Sequence, residues 1–459
     1  MTARLIEALN TTDQLADIFS EQSVLRAMLQ FEVSLAKAEA RVGVIPNSAA
    51  KAIVSATQPA AFDMAKLVRS AFRAGTPAVP LVKALTEAVH RKDPDAAGFV
   101  HWGATSQDVG DTALVLLLKQ AQSILANDLA LIESSLQRLS DQHKSTVMLG
   151  RTLLQAAPPI TFGLKVAGWL SAIRRSRLKL DAAFGEALIL QFGGASGTLA
   201  SLGKDGISVS KALAQELDLI CPAAPWHAQR DRLAILMCAC GVLTGSLGKM
   251  ARDVSLMMQN EVAEVSEPGG NGRGGSSTMP HKRNPIACAL TLSAATRVPH
   301  LVASFLSAMP QEHERGVGSW HSEWPTIADV IQSTGVAAAS MAEVASGLAV
   351  DASRMRANIE AISGLIFAEK AMMLLAPKIG RDKAHELLES AAKKAVAEGK
   401  RLVEALVQMP EAIRHLDSAT LAKLEVPEEY LGSAQAFRRA QLESLASQPG
   451  KQRRLKRSK

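Results

Sequence analysis

The sequence predicts an all-α fold of three helical domains, organised around a central bundle of long helices. Hydrophobic residues make up 47% of the 459-residue chain and aromatic residues only 4%, a composition that favours helix over sheet. No glycine or proline occurs between Asp111 and Ser145, and apolar residues recur there at helical spacing. Further long helical patterns follow, and several helices of this length have to pack side by side.

The first predicted domain, residues 1–110, alternates short helical patterns with helix breakers. One amphipathic helix is expected from the stretch that begins at Ile18, and Gly43 and Pro46 end it. The proline-containing segment AGTPAVPLVKAL is expected to be a loop that enters the next helix.

The second predicted domain, residues 111–350, holds the long helices, and the third, residues 351–459, holds shorter ones. In the third domain, Pro377 and Gly380 are expected to separate one helical hairpin from the next. The long helices carry more apolar surface than a small domain can cover, so part of that surface is expected to meet other copies of the chain. The long helices are expected at about 111–145, 160–190, 228–265, 285–309 and 325–348.

The positive charge of the chain lies in its C-terminal tail. The formal net charge is +7, and the six lysines and arginines of residues 451–459 leave only +1 for the rest of the chain. A basic tail of this kind is typical of a solvated terminus. The charge distribution therefore gives no support for a nucleic-acid partner.

The cysteines and the N-terminus predict a soluble, cytoplasmic protein. Four cysteines are too few and too clustered for a disulfide framework. Cys238 and Cys240 lie in an apolar helical stretch and are expected to be packing residues rather than half of a zinc site. The N-terminus lacks the apolar core of a signal peptide, and no uninterrupted apolar run approaches the length of a membrane span.

Four polar segments interrupt the helical pattern, and such segments are where binding and chemistry concentrate. The first is FVHWGATSQDVGDT, residues 99–112, which places His101, Thr105 and Ser106 just before the longest helix. Thr105, Ser106 or Asp108 could serve only as an N-cap. Capping needs one such side chain, whereas this segment has several.

The second segment is GRTLLQAAPPITFG, residues 150–163, which joins two long helices. Its two prolines are explained by a loop and a helix start. The prolines do not explain Arg151, Thr152 and Gln155, whose donors could face an anion.

The third segment, EPGGNGRGGSSTMPHKRNP at residues 267–285, is the most informative. Its glycines can bring backbone N–H groups close to a ligand, and its polar end includes Ser276, Lys282 and Asn284. Because Pro285 opens a helix, the cationic side chains beside that helix N-terminus predict an anion site. The spacing differs from a Walker-type phosphate loop, and no strand precedes it.

The fourth segment, QEHERGVGSWHSEW at residues 311–324, combines two histidines and three glutamates with Arg315. Its spacing does not match the HExxH pattern of zinc enzymes. A polar wall of the ligand site or a subunit contact is expected instead.

The third segment carries a family resemblance. GGSSTMPHKRNP, residues 274–285, resembles the signature loop of the fumarase/aspartase superfamily, whose pattern is close to GSSxMPxKxNP. HWGATSQDVGDT and GRTLLQ resemble the other two active-site stretches, in the same order along the chain. The resemblance implies three helical domains, with the middle one forming a twenty-helix core in a homotetramer. It also implies that three subunits contribute to each active site, and that the chemistry uses no cofactor or metal.

Members of this superfamily move a proton at the carbon next to a carboxylate, through an aci-carboxylate intermediate that hydrogen-bond donors and positive charge must stabilise. By position, the resemblance implies that Ser276 is the proton carrier and that Lys282 and Asn284 hold the reacting carboxylate. Lys282, loop N–H groups and the helix N-terminus are expected to stabilise the serine alkoxide. The further ligands that the resemblance implies for a small tricarboxylate substrate are His101, Thr105, Ser106, Arg151, Thr152, Gln155 and Arg315.

One departure from the family pattern separates two possible activities. Lyases of the superfamily commonly have GRTH in the second stretch, where the histidine helps the leaving group to depart, but this chain has Leu153. A carboxylate leaving group needs no such help because it is already a stable anion. Leu153 therefore favours the lactone-forming cycloisomerases of the superfamily over adenylosuccinate lyase or another fumarate-releasing lyase. The intact set of Ser276, Lys282 and Asn284 argues against a purely structural protein.

Overall fold

The structure, a computed structural model, describes residues 5–270, 274–275, 279 and 282–443. Helices account for nearly all of the regular structure in these residues, so the predicted all-α class is confirmed. The homotetramer stays a prediction. Short 3₁₀ helices occur at Glu7–Asn10, Pro59–Ala61, Ala96–Phe99, Ala200–Asp205, Leu365–Phe367 and Pro427–Tyr430.

The N-terminal helices are short except for α2. The predicted helix from Ile18 instead begins at Glu21, because the Ser20 side chain accepts the backbone N–H of Ser23 (3.2 Å) and caps the helix start. It ends as predicted at Gly43, whose φ of +88° favours glycine. These helices are α1 (Asp13–Ile18), α2 (Glu21–Val42), α3 (Asn47–Ala56), α4 (Met64–Ala74) and α5 (Ala78–His90).

The predicted long helices are present, with α8 as a shorter element among them. The last of them begins at Ser319, before Pro325, so the HSEW part of the fourth segment is helical rather than a loop. Buried contacts of Trp320 and Glu323 fix this first turn. The helices are α6 (Ser106–Gln142), α7 (Phe162–Ala187), α8 (Gly206–Leu217), α9 (Asp231–Met257), α10 (Ile286–Ala308) and α11 (Ser319–Gly347).

The second segment is a β-hairpin, so the expectation of a loop there was wrong. β1 (Val147–Thr152) pairs antiparallel with β2 (Gln155–Thr161), and the register shifts between Leu149 and Gly150. This bulge leaves Pro158 without a partner in the ladder, where its missing N–H does no harm. A second small pair joins β3 (Val265–Ser266) to β4 (Ala349–Val350). The two-residue β3 directly precedes the third segment, so the expectation that no strand lies there was wrong.

The C-terminal helices are shorter, as predicted. Pro377 lies within α13 and does not break it; Gly380, with φ +85°, follows its last residue. The helices are α12 (Ala352–Glu360), α13 (Ala368–Ile379), α14 (Arg381–Glu398), α15 (Leu402–Val407), α16 (Pro410–His415), α17 (Ser418–Leu424) and α18 (Ala434–Glu443).

The chain divides into two compact units. The first unit contains a core around Ile53, Leu85 and Val89, and the second contains a core around Leu375 and Leu402. The predicted boundaries of the three domains stay a prediction. The first unit is Met1–Leu129, Ser176–Gly248 and Leu290–Ser340; the second is Ala130–Arg175, Lys249–Ala289 and Met341–Lys459.

Three of the described helices, α6, α9 and α10, are long and apolar enough to cross a membrane by length and composition alone. The sequence expectation considered only uninterrupted apolar runs and therefore missed them. In α10, one third of the most apolar stretch (33%) is buried within the chain. The contact of this surface with other copies of the chain stays a prediction.

Candidate active site

His101 lies against a buried carboxylate from α2. Its Nδ1 is 2.7 Å from Oε1 of Glu32, which is only 1% exposed. Burial alone would lower the pKa of His101, but the charge of Glu32 and the hydrogen bond to it outweigh burial and raise the pKa. His101 also has a left-handed backbone, with φ +60°. The fold thus fixes this imidazole in one orientation beside an acid.

The start of α6 is held by Asp108. The backbone N–H of Thr105 donates to the Asp108 carboxylate (3.1 Å), as do the N–H groups of Gly193 and Gly194 (both 2.9 Å). His227 lies 2.7 Å from the same carboxylate. Asp108 is fully buried and lies within the first turn of α6, so it holds the helix start without being its N-cap residue. The side chain of Thr105, the residue before the helix, makes a different contact.

Thr105 and Arg315 meet in the first unit. Arg315 donates to Thr105 Oγ1 (2.8 Å) and to the carbonyl of Gly194 (2.7 Å). Ser106, the first residue of α6, is half-buried. The first and fourth segments thus supply neighbouring polar groups, and their role as a ligand wall stays a prediction.

A buried ionic network lies one turn further along α6. Arg230 is completely buried and forms ion pairs with Asp111 (2.7 Å) and Glu323 (2.5 Å). Trp320 Nε1–H donates to Asp111 (2.9 Å), and Gln311 donates to Glu323 (2.7 Å). Burial would lower the pKa of Arg230, but the two carboxylates outweigh burial and raise it. Through Gln311 and Trp320, this network holds the residues on both sides of Arg315 in place.

Arg151 is engaged by a buried acid of its own unit. Its guanidinium donates to both oxygens of Glu264, at 2.6 and 2.9 Å, and Glu264 is fully buried. Asn358 also donates to Glu264 (2.9 Å). The anion that Arg151 faces within its own unit is therefore Glu264, and a direct substrate contact stays a prediction.

Thr152 and Gln155 flank the two-residue turn of the hairpin, and both are exposed. The turn residues Leu153 and Leu154 have φ of +49° and +64°, and their exposures are 97% and 76%. Such a turn ordinarily takes Asn-Gly, because both central residues need positive φ. Here it presents two apolar side chains instead, at the position where related lyases carry histidine.

Lys282 and Asn284 lie at the end of the third segment, whereas Ser276 lies outside the described residues. Lys282 and Arg283 line a cavity of about 880 Å³ together with Ser266 and Asp351. The backbone N–H of Asn284 donates to the carbonyl of Gly274 (2.9 Å). The role of Ser276 as proton carrier stays a prediction.

The N-terminus of α10 is already occupied, which corrects the expectation of a free anion site there. The Glu267 carboxylate accepts the backbone N–H groups of Ala287 (3.1 Å) and Cys288 (2.8 Å). A carboxylate at this position satisfies the free donors and offsets the positive end of the helix dipole. That Lys282 and the loop N–H groups stabilise a serine alkoxide stays a prediction.

Within the described part of the chain, no group of three or more His, Cys, Asp or Glu side chains could hold a metal ion. All four cysteines are free; Cys240 and Cys288 are buried, whereas Cys221 and Cys238 are partly buried. The packing role expected for Cys240 is confirmed.

Sequence reasoning missed Glu32 and Arg230. Their partners lie 69 and 93–119 residues away along the chain, so no local motif announces them. One signal was available for Glu32: it occupies a core-facing position of α2, between Leu25 and Leu35, where an apolar residue is expected.

Comparison with known proteins identifies the family. The sequence pattern of the family described as Lyase matches residues 7–299, and that described as Adenylosuccinate lyase C-terminus matches residues 364–440. A 3-carboxy-cis,cis-muconate cycloisomerase of Bradyrhizobium diazoefficiens is 49% identical, over 93% of this chain and 94% of that protein. A nitrosuccinate lyase of Streptomyces davaonensis is 42% identical, over 90% and 89%.

A solved structure agrees in both fold and sequence. The crystal structure of 3-carboxy-cis,cis-muconate lactonizing enzyme from Pseudomonas putida matches with a TM-score of 0.91 and 43% identity, over 97% of this chain and 99% of that one. Because the family pattern covers more than half of the chain and a relative is 49% identical over nearly all of it, the chain belongs to the lyase family of the fumarase/aspartase superfamily, whose signature loop it carries.

Proposed function

We propose that this chain is a cycloisomerase that interconverts 3-carboxy-cis,cis-muconate and 4-carboxymuconolactone, a step of protocatechuate breakdown. The observation that carries the proposal is the 49% identity to a cycloisomerase across more than nine-tenths of both chains. Leu153 supports it chemically, because a hydrocarbon side chain cannot pass a proton to a leaving group.

The reaction proposed is an internal addition with no loss of atoms. One substrate carboxylate oxygen forms a bond to an alkene carbon, and the electron pair of that double bond moves towards the neighbouring carboxylate. The resulting aci-carboxylate is held by Lys282 and Asn284. Ser276 then gives its proton to the α-carbon, which completes the lactone.

The remaining polar residues bind the other carboxylates of the substrate. In the first unit, Thr105 is already oriented by Arg315 (2.8 Å) and His101 by Glu32 (2.7 Å). In the second unit, Thr152 and Gln155 present their side chains at the exposed hairpin turn. A substrate with three carboxylates suits this excess of donors.

The proposed assembly is a homotetramer in which several subunits contribute residues to each active site. Partly exposed long apolar helices support contacts between copies. Because the relatives are metabolic enzymes that act on small carboxylates, we infer a soluble, cytoplasmic enzyme. The superfamily resemblance implies that it uses no cofactor or metal.

A second candidate activity is elimination by a lyase. The 42% identity to a nitrosuccinate lyase favours it. The argument from Leu153 against lyases does not extend to this one, since nitrite is also a stable leaving anion. Adenylosuccinate cleavage is a weaker candidate because its amine leaving group needs the proton transfer that Leu153 cannot provide.

The deciding experiment is a spectrophotometric assay of purified protein with 3-carboxy-cis,cis-muconate, nitrosuccinate and adenylosuccinate in separate reactions. We expect loss of the muconate absorbance and no turnover of the other two. Nitrosuccinate cleavage without lactonisation would replace the proposal by the second candidate, and adenylosuccinate cleavage would overturn the argument from Leu153.

Ser276→Ala tests the proton carrier. We expect turnover to fall at least about a thousandfold with the fold intact, since general acid–base groups contribute about 10²–10⁴-fold. Ser277→Ala is the matched control and should lose much less. A larger loss in the control would move the role to the second serine.

A further inference from the structure

The Glu32 carboxylate is placed to control the charge of His101. Glu32 is almost completely buried on α2, and its Oε1 lies 2.7 Å from His101 Nδ1. In the part of the chain that the structure describes, this is the only hydrogen bond of the Glu32 side chain. A buried carboxylate is costly unless it is paired with a charge or a strong donor, and His101 is the group that supplies the pairing.

The hydrogen bond at Nδ1 decides what the other ring nitrogen can do. A neutral imidazole that donates from Nδ1 has a bare lone pair on Nε2, which repels a carboxylate. The cationic ring carries a proton on both nitrogens and can donate from Nε2. His101 can therefore bind an anionic ligand through Nε2 only while it is protonated.

We propose that Glu32 is a positioning residue of the active site, which holds His101 in its cationic form so that Nε2–H binds a carboxylate of the substrate. The identity of that carboxylate rests on the proposed function. The state of the imidazole does not, because it exists in the free protein.

The other charges around the ring agree with this role. Asp108, on α6, adds a second negative charge that raises the pKa of His101. Arg315, on the segment before α11, is hydrogen-bonded to Thr105 and Gly194 rather than to the ring. Glu39, two turns beyond Glu32 on α2, is fully buried, and burial followed by the charge of Glu32 raises its pKa to about 9. Glu39 is therefore neutral at pH 7 and adds no charge.

Glu39 provides a matched control because it lies on the same helix, is equally buried and is not hydrogen-bonded to His101. Glu32→Gln removes a negative charge beside the ring at neutral pH. Glu39→Gln replaces a neutral acid by a neutral amide. A general effect of altering a buried acid on α2 should appear in both variants, whereas an effect on His101 should appear only in the first.

The first measurement is the titration of His101 in the full-length protein without substrate. Histidine labelled with ¹³C at Cε1 is followed by NMR in a deuterated background, and His101→Gln assigns the signal. We expect His101 to titrate above the ordinary histidine range in the wild type and in Glu39→Gln, and lower in Glu32→Gln. Equal titration in the wild type and Glu32→Gln would overturn the proposal, whatever substrate the enzyme uses.

The second measurement is KM against pH with the substrate identified by the assay. Above neutral pH, Glu32→Gln should raise KM about tenfold to a hundredfold, the range of a lost charged hydrogen bond, while kcat changes less. Acidification should bring its KM back towards the wild-type value, because the ring then becomes protonated without Glu32. A KM raised equally at every pH would mean that Glu32 is only structural.

Should Glu32→Gln fail to fold, two other measurements decide the question. A wild-type His101 signal that titrates within or below the ordinary histidine range contradicts the proposal, and so does an unchanged KM in His101→Gln.

Discussion

The start of α6 and the tip of the β1–β2 hairpin both carry predicted substrate ligands, but the fold holds them differently. At α6, Asp108 and Asp111 are buried and accept hydrogen bonds from several groups. At the hairpin, Leu153 and Leu154 are exposed and occupy left-handed backbone conformations, which cost about 1–2 kcal/mol per residue. The first region is pre-organised by its own contacts, whereas the second holds its shape at a local conformational cost.

At neutral pH, breaking the buried network should destabilise the fold strongly. Arg230→Gln leaves Asp111 and Glu323 as uncompensated buried charges, and we expect a loss of about 3–5 kcal/mol in the free energy of unfolding. Arg297→Gln is the control, because its ion pair with Asp329 (3.6 Å) is exposed on both sides and should contribute less than about 1 kcal/mol. Thermal unfolding checks both variants. Equal losses would mean that burial does not distinguish the two pairs.

Glu39, on α2, contrasts with Asp108 and Asp111, because its buried carboxyl oxygens have no hydrogen-bond partner among the described residues. Its pKa is raised to about 9 in the folded protein, so the folded state binds this proton more strongly than the unfolded chain does. The wild type should therefore lose stability as pH rises towards 9, by up to about 1.4 kcal/mol per pH unit. Glu39→Gln removes this loss. Melting curves from pH 5 to 9 should diverge in favour of the variant; parallel curves contradict the pKa shift.

A change that relieves the conformational strain of the hairpin should raise the stability of the protein, whereas breaking the buried network lowers it. Leu153→Asn combined with Leu154→Gly supplies the residues that this turn prefers, and we expect stability to rise by about 1 kcal/mol or more. Activity should fall, because the two leucines lie between the predicted ligands Thr152 and Gln155. Melting temperature and kcat/KM are measured together. Ile207→Asn, which alters an exposed residue on α8, is the control and should leave kcat/KM unchanged.

The smallest effect is expected at the C-terminal tail. Deletion of residues 451–459 removes six positive charges but no predicted helix, so neither the oligomeric state nor turnover should change. Size-exclusion chromatography and the activity assay check this outcome. Dissociation of the assembly would show that the tail takes part in subunit contacts.

The difference between local patterns and distant contacts explains what the sequence alone could predict. The long helices followed from local periodicity, and α6 was predicted to within five residues at its start and three at its end. The hairpin was missed because Leu153 and Leu154 give no turn signal and the prolines of β2 argue against a strand. The partners of His101 and Asp111 were missed because Glu32 and Arg230 are distant in the sequence. Motifs indicate candidate site residues, but they do not indicate which buried groups orient those residues.

The hydrogen bonds of Glu267 bear on how the length of the signature loop can vary among descendants of this gene. Glu267 lies just before the glycine-rich stretch, and its carboxylate accepts hydrogen bonds from the start of α10. At the far end of the stretch, the backbone N–H of Asn284 donates to the carbonyl of Gly274. An insertion or deletion in residues 268–273 changes the length of chain between these two anchors. A descendant that keeps Glu267 and Asn284 keeps both anchors. Substitution of Glu267 removes the first anchor and leaves the N–H groups of Ala287 and Cys288 without this acceptor.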